Sequence, residues 1–171
     1  MPNITHKEPD ARDFELLYEA GLVARKAKER GNHPFGCLLA DADRNILLTG
    51  ENTVTTEHND CGHAETNLMI AASKKYGRDF LAGCSIYTTG EPCAMCTGAI
   101  YWANVRRIVI GFSERDLLEM TGADPENPTF SLPCTEILLH GQKDFEIVGP
   151  VKDKKLLTAL LEDHRGFWNK L

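Results

Sequence analysis

Two short stretches carry residues able to do chemistry together: His63-Ala64-Glu65, and Glu91-Pro92-Cys93-Ala94-Met95-Cys96 further along the chain. Cysteines three apart lie on one face of a helix and can grip a single metal ion. A catalytic zinc site takes three protein ligands and leaves the fourth position to water, and His63 is the best candidate for the third ligand. Zinc lowers the pKa of such a water to about 7. The proton then needs a carrier, and Glu65 is the carboxylate beside the histidine. A lone C-x-x-C is weak evidence, since it also fits a thiol–disulfide redox pair or half of a structural zinc site. No second C-x-x-C is present to complete four cysteines. The full H-x-E…P-C-x-x-C constellation points to zinc-dependent hydrolysis, with a Cys93/Cys96 oxidoreductase as the reading from another class.

The elements must bring these residues together. Residues two apart do not share a helix face, so His63 and Glu65 converge only beyond a helix end, where first-turn side chains reach forward. A zinc between two helix N-termini meets that condition, and the partial positive charge there favours cysteine thiolates. The sequence predicts helices in both places. Ala64 to Tyr76 repeats apolar residues at Leu68, Ala71 and Ala72 and is stopped by Gly77. Pro92 to Ala103 opens with a proline, well tolerated in a first turn.

The remaining elements follow the same logic. Residues 1–9 read as a flexible tail, and 10–171 as a single domain. Asp10 to Arg30 is a helix with an N-cap aspartate, basic last-turn residues and Gly31-Asn32 as its stop. Strands are predicted at Cys37 to Ala40, Ile46 to Thr49, Cys84 to Thr89, Arg107 to Ile110 and Phe145 to Val148. The first pair forms a hairpin through the turn at 41–45, and a polar loop from Thr53 to Gly62 delivers the chain to His63. Ser113 to Met120 is a short capped helix, Gly122 to Pro133 a loop, and Thr135 to His140 an apolar stretch of open type. Asp153 to Trp168 closes the chain as an amphipathic helix. A hairpin followed by alternating strands and helices implies a layered α/β/α domain, its interior strands parallel where helices cross over.

Composition narrows the partners. At 171 residues, 42% hydrophobic and 26% charged, the chain can bury a full core. No apolar run is long enough to cross a bilayer and the N-terminus is not a secretory signal, so a cytoplasmic protein with reduced cysteines is expected. A net charge of −6 and a pI near 5.5 make nucleic acid an unlikely partner, because phosphate binding relies on Lys and Arg. A small neutral substrate fits better.

On these residues the chain resembles the cytidine/deoxycytidylate deaminase superfamily, from about Asp13 to Ile110 and more loosely beyond. The matching pieces are Pro34-Phe35-Gly36, Asn52 at a strand end, His63-Ala64-Glu65, Tyr87-Thr88-Thr89, Glu91-Pro92-Cys93-Ala94-Met95-Cys96 and Gly98-Ala99-Ile100. The resemblance implies an α/β/α sandwich around a mixed five-stranded sheet, bound Zn2+, and activated water attacking the amine-bearing carbon of a nucleobase ring with Glu65 as proton shuttle. It is nearest the free-base and transfer-RNA adenosine branches, whose members work as dimers, so a homodimer is expected. Pro-Phe-Gly and Gly98-Ala99-Ile100-Tyr101-Trp102-Ala103 are similar to bacterial guanine deaminases, which makes guanine the leading substrate and purine salvage the setting. Cys96 to Ile100 is also similar to fungal-type cytosine deaminase. Cytosine, another aminated heterocycle, and adenosine in transfer RNA are the alternatives. The resemblance further implies that Asn52 hydrogen-bonds the ring, Phe35 lines the pocket, and Asp116 recognises an exocyclic amine, with Glu114 close enough to compete. An aromatic lid at the C-terminus falls to Phe167 or Trp168. His33, His58 and Cys61 are assigned to loops without a role.

Overall fold

Gly36–Ala40 (β2) carries no side chain that needs water, and Ser85–Gly90 (β4) hides its hydroxyls; every residue of both strands is buried. Such strands belong at the centre of a sheet covered on both faces. That is where they lie in the computed structural model, which describes residues 1–122 and 124–168. The sheet runs β1-β6-β5-β4-β2-β3, completed by Ile4–Lys7 (β1), Ile46–Glu51 (β3), Arg107–Phe112 (β5) and Phe145–Val148 (β6). β2 is antiparallel to both β3 and β4, whereas β4, β5, β6 and β1 run parallel.

The helices are Ala11–Glu29 (α1), Ala64–Lys75 (α2), Arg78–Ala82 (α3), Ala94–Ala103 (α4), Glu114–Thr121 (α5), Cys134–Leu139 (α6) and Lys154–Leu161 (α7). Alternation along the strands sorts the core into two layers. Leu39, Ile86 and Ile108 face Leu68, Met69 and Ile100 of α2 and α4, while Leu38, Tyr87 and Val109 face Leu16, Leu17 and Leu160 of α1 and α7. This is the expected α/β/α sandwich. β2 and α1 approach so closely that a Cβ on Gly36 would lie 2.3 Å from the Ala24 nitrogen, which requires glycine there.

A buried ion pair locks α1 to the sheet. Asp13 is 1% exposed and accepts hydrogen bonds from the Tyr87 hydroxyl at 3.0 Å and from Arg107 at 3.0 and 3.1 Å. Burial pushes the Tyr87 phenol up to about 12, so it remains a donor.

Two expectations are corrected, and one stretch of open type is assigned. The sheet has six strands rather than five, because residues 4–7 of the expected flexible tail pair with β6. Ile4-Thr5-His6-Lys7 is mostly exposed and polar, so its place is set by backbone hydrogen bonds and leaves no periodic apolar signal. The stretch after Pro133 is a helix, α6. The last helix stops at Leu161, followed by a 3₁₀ turn at Glu162–His164 and a left-handed Gly166 (φ +65°). The short α3 escaped the periodicity reading because five residues make little more than one turn. Ala123 and residues 169–171 of the expected loop and C-terminus lie outside the described residues.

Candidate active site

His63 and Cys93 are the N-cap residues of α2 and α4. Both turn outward from helix starts that lie side by side, since α2 and α4 pack together. Cys96, one turn into α4, completes the set. The His63 Nδ1 lies 3.6 Å from the Sγ of Cys93 and 3.6 Å from that of Cys96, and the three ligand atoms all lie within 4.8 Å of one another. Zinc–sulfur bonds of about 2.3 Å and zinc–nitrogen bonds of about 2.0 Å at a tetrahedral angle would separate sulfur from nitrogen by about 3.5 Å. The residues present therefore fit a zinc ion without rearrangement.

Electrostatics agree with that fit. The Cys93 thiol is held far below its ordinary range by hydrogen bonds from the Cys96 side chain, His63 and the Cys96 backbone N–H. Cys96, buried and beside that negative sulfur, is pushed up. A pair that already favours one thiolate is part-way to the deprotonated state a metal demands. The Thr66 hydroxyl lies 3.3 Å from the Cys96 Sγ and adds a further polar contact.

Glu65, in the first turn of α2, is 6% exposed. Burial raises its carboxyl above the usual carboxylate range, partly offset by a hydrogen bond donated by the Thr88 hydroxyl of β4. A carboxyl poised nearer neutrality is suited to taking up and giving back a proton.

His63 and Cys93 open onto a cavity of about 730 Å³, within the range of small-molecule sites, with Cys96 buried behind them. Asn52 and Phe35 line it, as do Glu65, Glu91 and Glu114. Asn52 is buried at the end of β3, its Oδ1 accepting the Val54 N–H at 3.1 Å. The far wall is the stretch from Pro125 to Phe130 between α5 and α6. None of the described lining residues is Lys or Arg.

Two expected contacts fall elsewhere. Asp116 does not line the cavity: its carboxylate accepts the Ser113 N–H at 2.8 Å and the Ser113 hydroxyl at 2.7 Å in the capping box of α5. Glu114, two residues earlier, lines the cavity instead, and burial together with nearby Cys93 and Glu91 holds its carboxyl up to about 8. Trp168 stands behind the lining, its ring 5.1 Å from His33 and 6.2 Å from Phe35 between centroids. It donates from Nε1 to His164 Nδ1 at 3.1 Å. His33, assigned no role from sequence, lines the cavity, and burial lowers its pKa. Its isolated position in a turn carried no motif that would have singled it out.

Comparison with known proteins adds four findings. A family model described as the cytidine and deoxycytidylate deaminase zinc-binding region matches residues 11–112. The chain is 35% identical to a probable cytosine deaminase of Schizosaccharomyces pombe, across 95% of this chain and 96% of that one. It is 37% identical to a tRNA-specific adenosine deaminase of Bacillus subtilis across 58% of this chain and 62% of that protein. The crystal structure of guanine deaminase from Bacillus subtilis superimposes with a TM-score of 0.56 at 34% identity, covering 61% of this chain and 67% of that one.

Proposed function

The chain belongs to the cytidine and deoxycytidylate deaminase family, and on that premise we propose that the substrate of its zinc-dependent hydrolytic deamination is an uncharged free nucleobase. The lining of the cavity carries this reading. Asp60, Glu65, Glu91, Glu114 and Glu126 border it, with no Lys or Arg among the described lining residues. A phosphate-bearing substrate, whether a nucleotide or an RNA loop, depends on cations that this wall does not offer. An aminated base brings amine and ring N–H donors, which acidic oxygens accept.

Zinc, when bound by His63, Cys93 and Cys96, supplies the Lewis acid that makes water nucleophilic near neutral pH. In this reading Glu65 would accept a proton from water and deliver it to a ring nitrogen, then take a second proton from the hydroxyl newly bound to the ring carbon and pass it to the departing amine; the C–N bond breaks, the carbon keeps a carbonyl oxygen and ammonia leaves. Thr88 orients the carboxyl for both transfers. Phe35 supplies an apolar face for the ring, and Asn52 the hydrogen bonding at its edge.

Cytosine is the first substrate to test, because the relative that aligns along nearly the whole chain is a probable cytosine deaminase. Guanine is the second reading, favoured by Glu114, whose carboxyl, once ionised, can accept from both the adjacent ring N–H and the exocyclic amine of guanine. The setting proposed is base salvage by a cytoplasmic homodimer, and among the described residues no helix is long and apolar enough to cross a membrane.

Ammonia release by zinc-loaded protein, measured on cytosine, guanine, their nucleosides and an adenosine-bearing RNA stem-loop, tests the proposal. Turnover of a free base is expected; turnover of the RNA alone would overturn it. Glu65→Gln should keep its zinc and lose activity by about 10³-fold or more. A fully active Glu65→Gln protein would remove the assigned proton carrier.

A further inference from the structure

One carboxylate meets two helix starts. Glu91 Oε2 accepts the backbone N–H of Glu114, the first residue of α5, at 3.3 Å, and Oε1 accepts that of Cys134, the first residue of α6, at 2.9 Å. First-turn N–H groups have no partner within their own helix, so each needs an acceptor from elsewhere. Glu91 supplies both from the metal-binding loop, two residues before Cys93. Its own N–H donates to the Phe112 carbonyl at the end of β5, at 2.8 Å, which fixes it to the sheet.

Between α5 and α6 hangs the outer wall of the cavity. Hydrogen bonds at Glu126, Asn127, Thr129 and Leu132 run to residues two or three away and shape this stretch locally. The Glu126 pair with His33 spans 4.0 Å, and the glutamate is mostly exposed, which makes it a weak tether. Two helices bracket the wall, and Glu91 holds the start of each.

We propose that Glu91 is a positioning residue, whose carboxylate clamps α5 and α6 to the metal loop and so sets the placement of the cavity's outer wall relative to the zinc ligands. With both oxygens engaged by backbone donors, Glu91 acts on the substrate through the wall. The kinetic consequence rests on the free-base reading; the structural consequence does not.

Two variants test it. Glu91→Gln preserves shape but offers only one acceptor oxygen, and Glu91→Ala removes both. Zinc per chain should stay unchanged in each. KM should rise about ten-fold in Glu91→Ala, by a similar factor for every base turned over, with Glu91→Gln between it and the parent. Its kcat should stay within about three-fold of the parent value, the signature of lost binding geometry. Hydrogen exchange at the Glu114 and Cys134 amides should accelerate in both variants. An unchanged KM overturns the proposal. So does a KM rise confined to one base, which would mean direct contact with substrate, or loss of zinc with kcat, which would mean support of the metal ligands alone. If the parent enzyme turns over no base at all, the exchange measurement still decides: unchanged protection at both amides rejects the clamp. Should Glu91→Ala fail to fold, Glu91→Gln carries the same readouts.

Discussion

Asp116 and Glu114 lie two residues apart in the first turn of one short helix, and their surroundings send them to different work. Asp116 reaches back to Ser113 and satisfies the helix start. Glu114 points its carboxyl at the cavity, where Cys93 and Glu91 are its negative neighbours. Replacing each by alanine should separate stability from binding. Asp116→Ala is expected to cost about 1 kcal/mol of stability, a fall of about 3 °C in Tm, with kinetics on the preferred base nearly unchanged. Glu114→Ala should leave Tm close to that of the parent and raise KM about ten-fold, while Glu114→Gln, which keeps the shape and a hydrogen-bonding end, should do less. The opposite pattern, kinetic loss in Asp116→Ala alone, would return substrate recognition to the aspartate.

At the scale of elements, the C-terminal turn shows how packing fixes a side chain's protonation. His164 is 1% exposed, accepts from Trp168 through Nδ1, and lies against Phe35 and Phe112. Burial lowers its pKa from 6.5 to about 4. The unfolded chain thus takes up this proton near pH 6.5 and the folded chain only near pH 4, so unfolding binds a proton between those values. Stability carried by His164 is complete above pH 6.5 and is lost as pH falls toward 4, by up to about 3 kcal/mol. Denaturant titrations of the parent and His164→Phe at pH 7 and pH 4.5 check this; a parent that loses no more stability than the variant would contradict it. This cluster also marks where the sequence stopped being informative. The zinc ligands and Glu65 were legible because their chemistry demands fixed types at fixed spacing. The central strands and α1, α2 and α4 were legible from apolar period and capping. β1, α3 and α6 were not, because backbone pairing and one-turn helices leave no period in four to six residues. Glu91 and His33 owe their positions to segments distant in sequence, and a glutamate whose carboxylate binds two remote amides looks like any other glutamate until those amides are placed.

For the whole molecule, the exposed side of α4 raises the question of what covers it. Trp102 is 72% exposed and Met95 37%, with half-buried Ala99 between them, so the three form an apolar stripe at positions i, i+4 and i+7. Exposed aromatic and methionine side chains of this kind are enriched at protein–protein contacts. Met95 also lines the cavity, so a partner seated on this stripe would approach the cavity mouth. The homodimer proposed above places a second copy there. Light scattering on the zinc-loaded protein should then give twice the 19.0 kDa chain mass, and Trp102→Glu should shift it toward one chain by burying an unpaired charge in the interface. Because Met95 lines the cavity, an activity that falls on dilution in parallel with dimer content would mean that the second copy shapes the mouth through Met95. Activity that survives in a Trp102→Glu monomer would confine the partner to a stabilising role, and a parent protein that is monomeric at all concentrations would leave the stripe to a different partner.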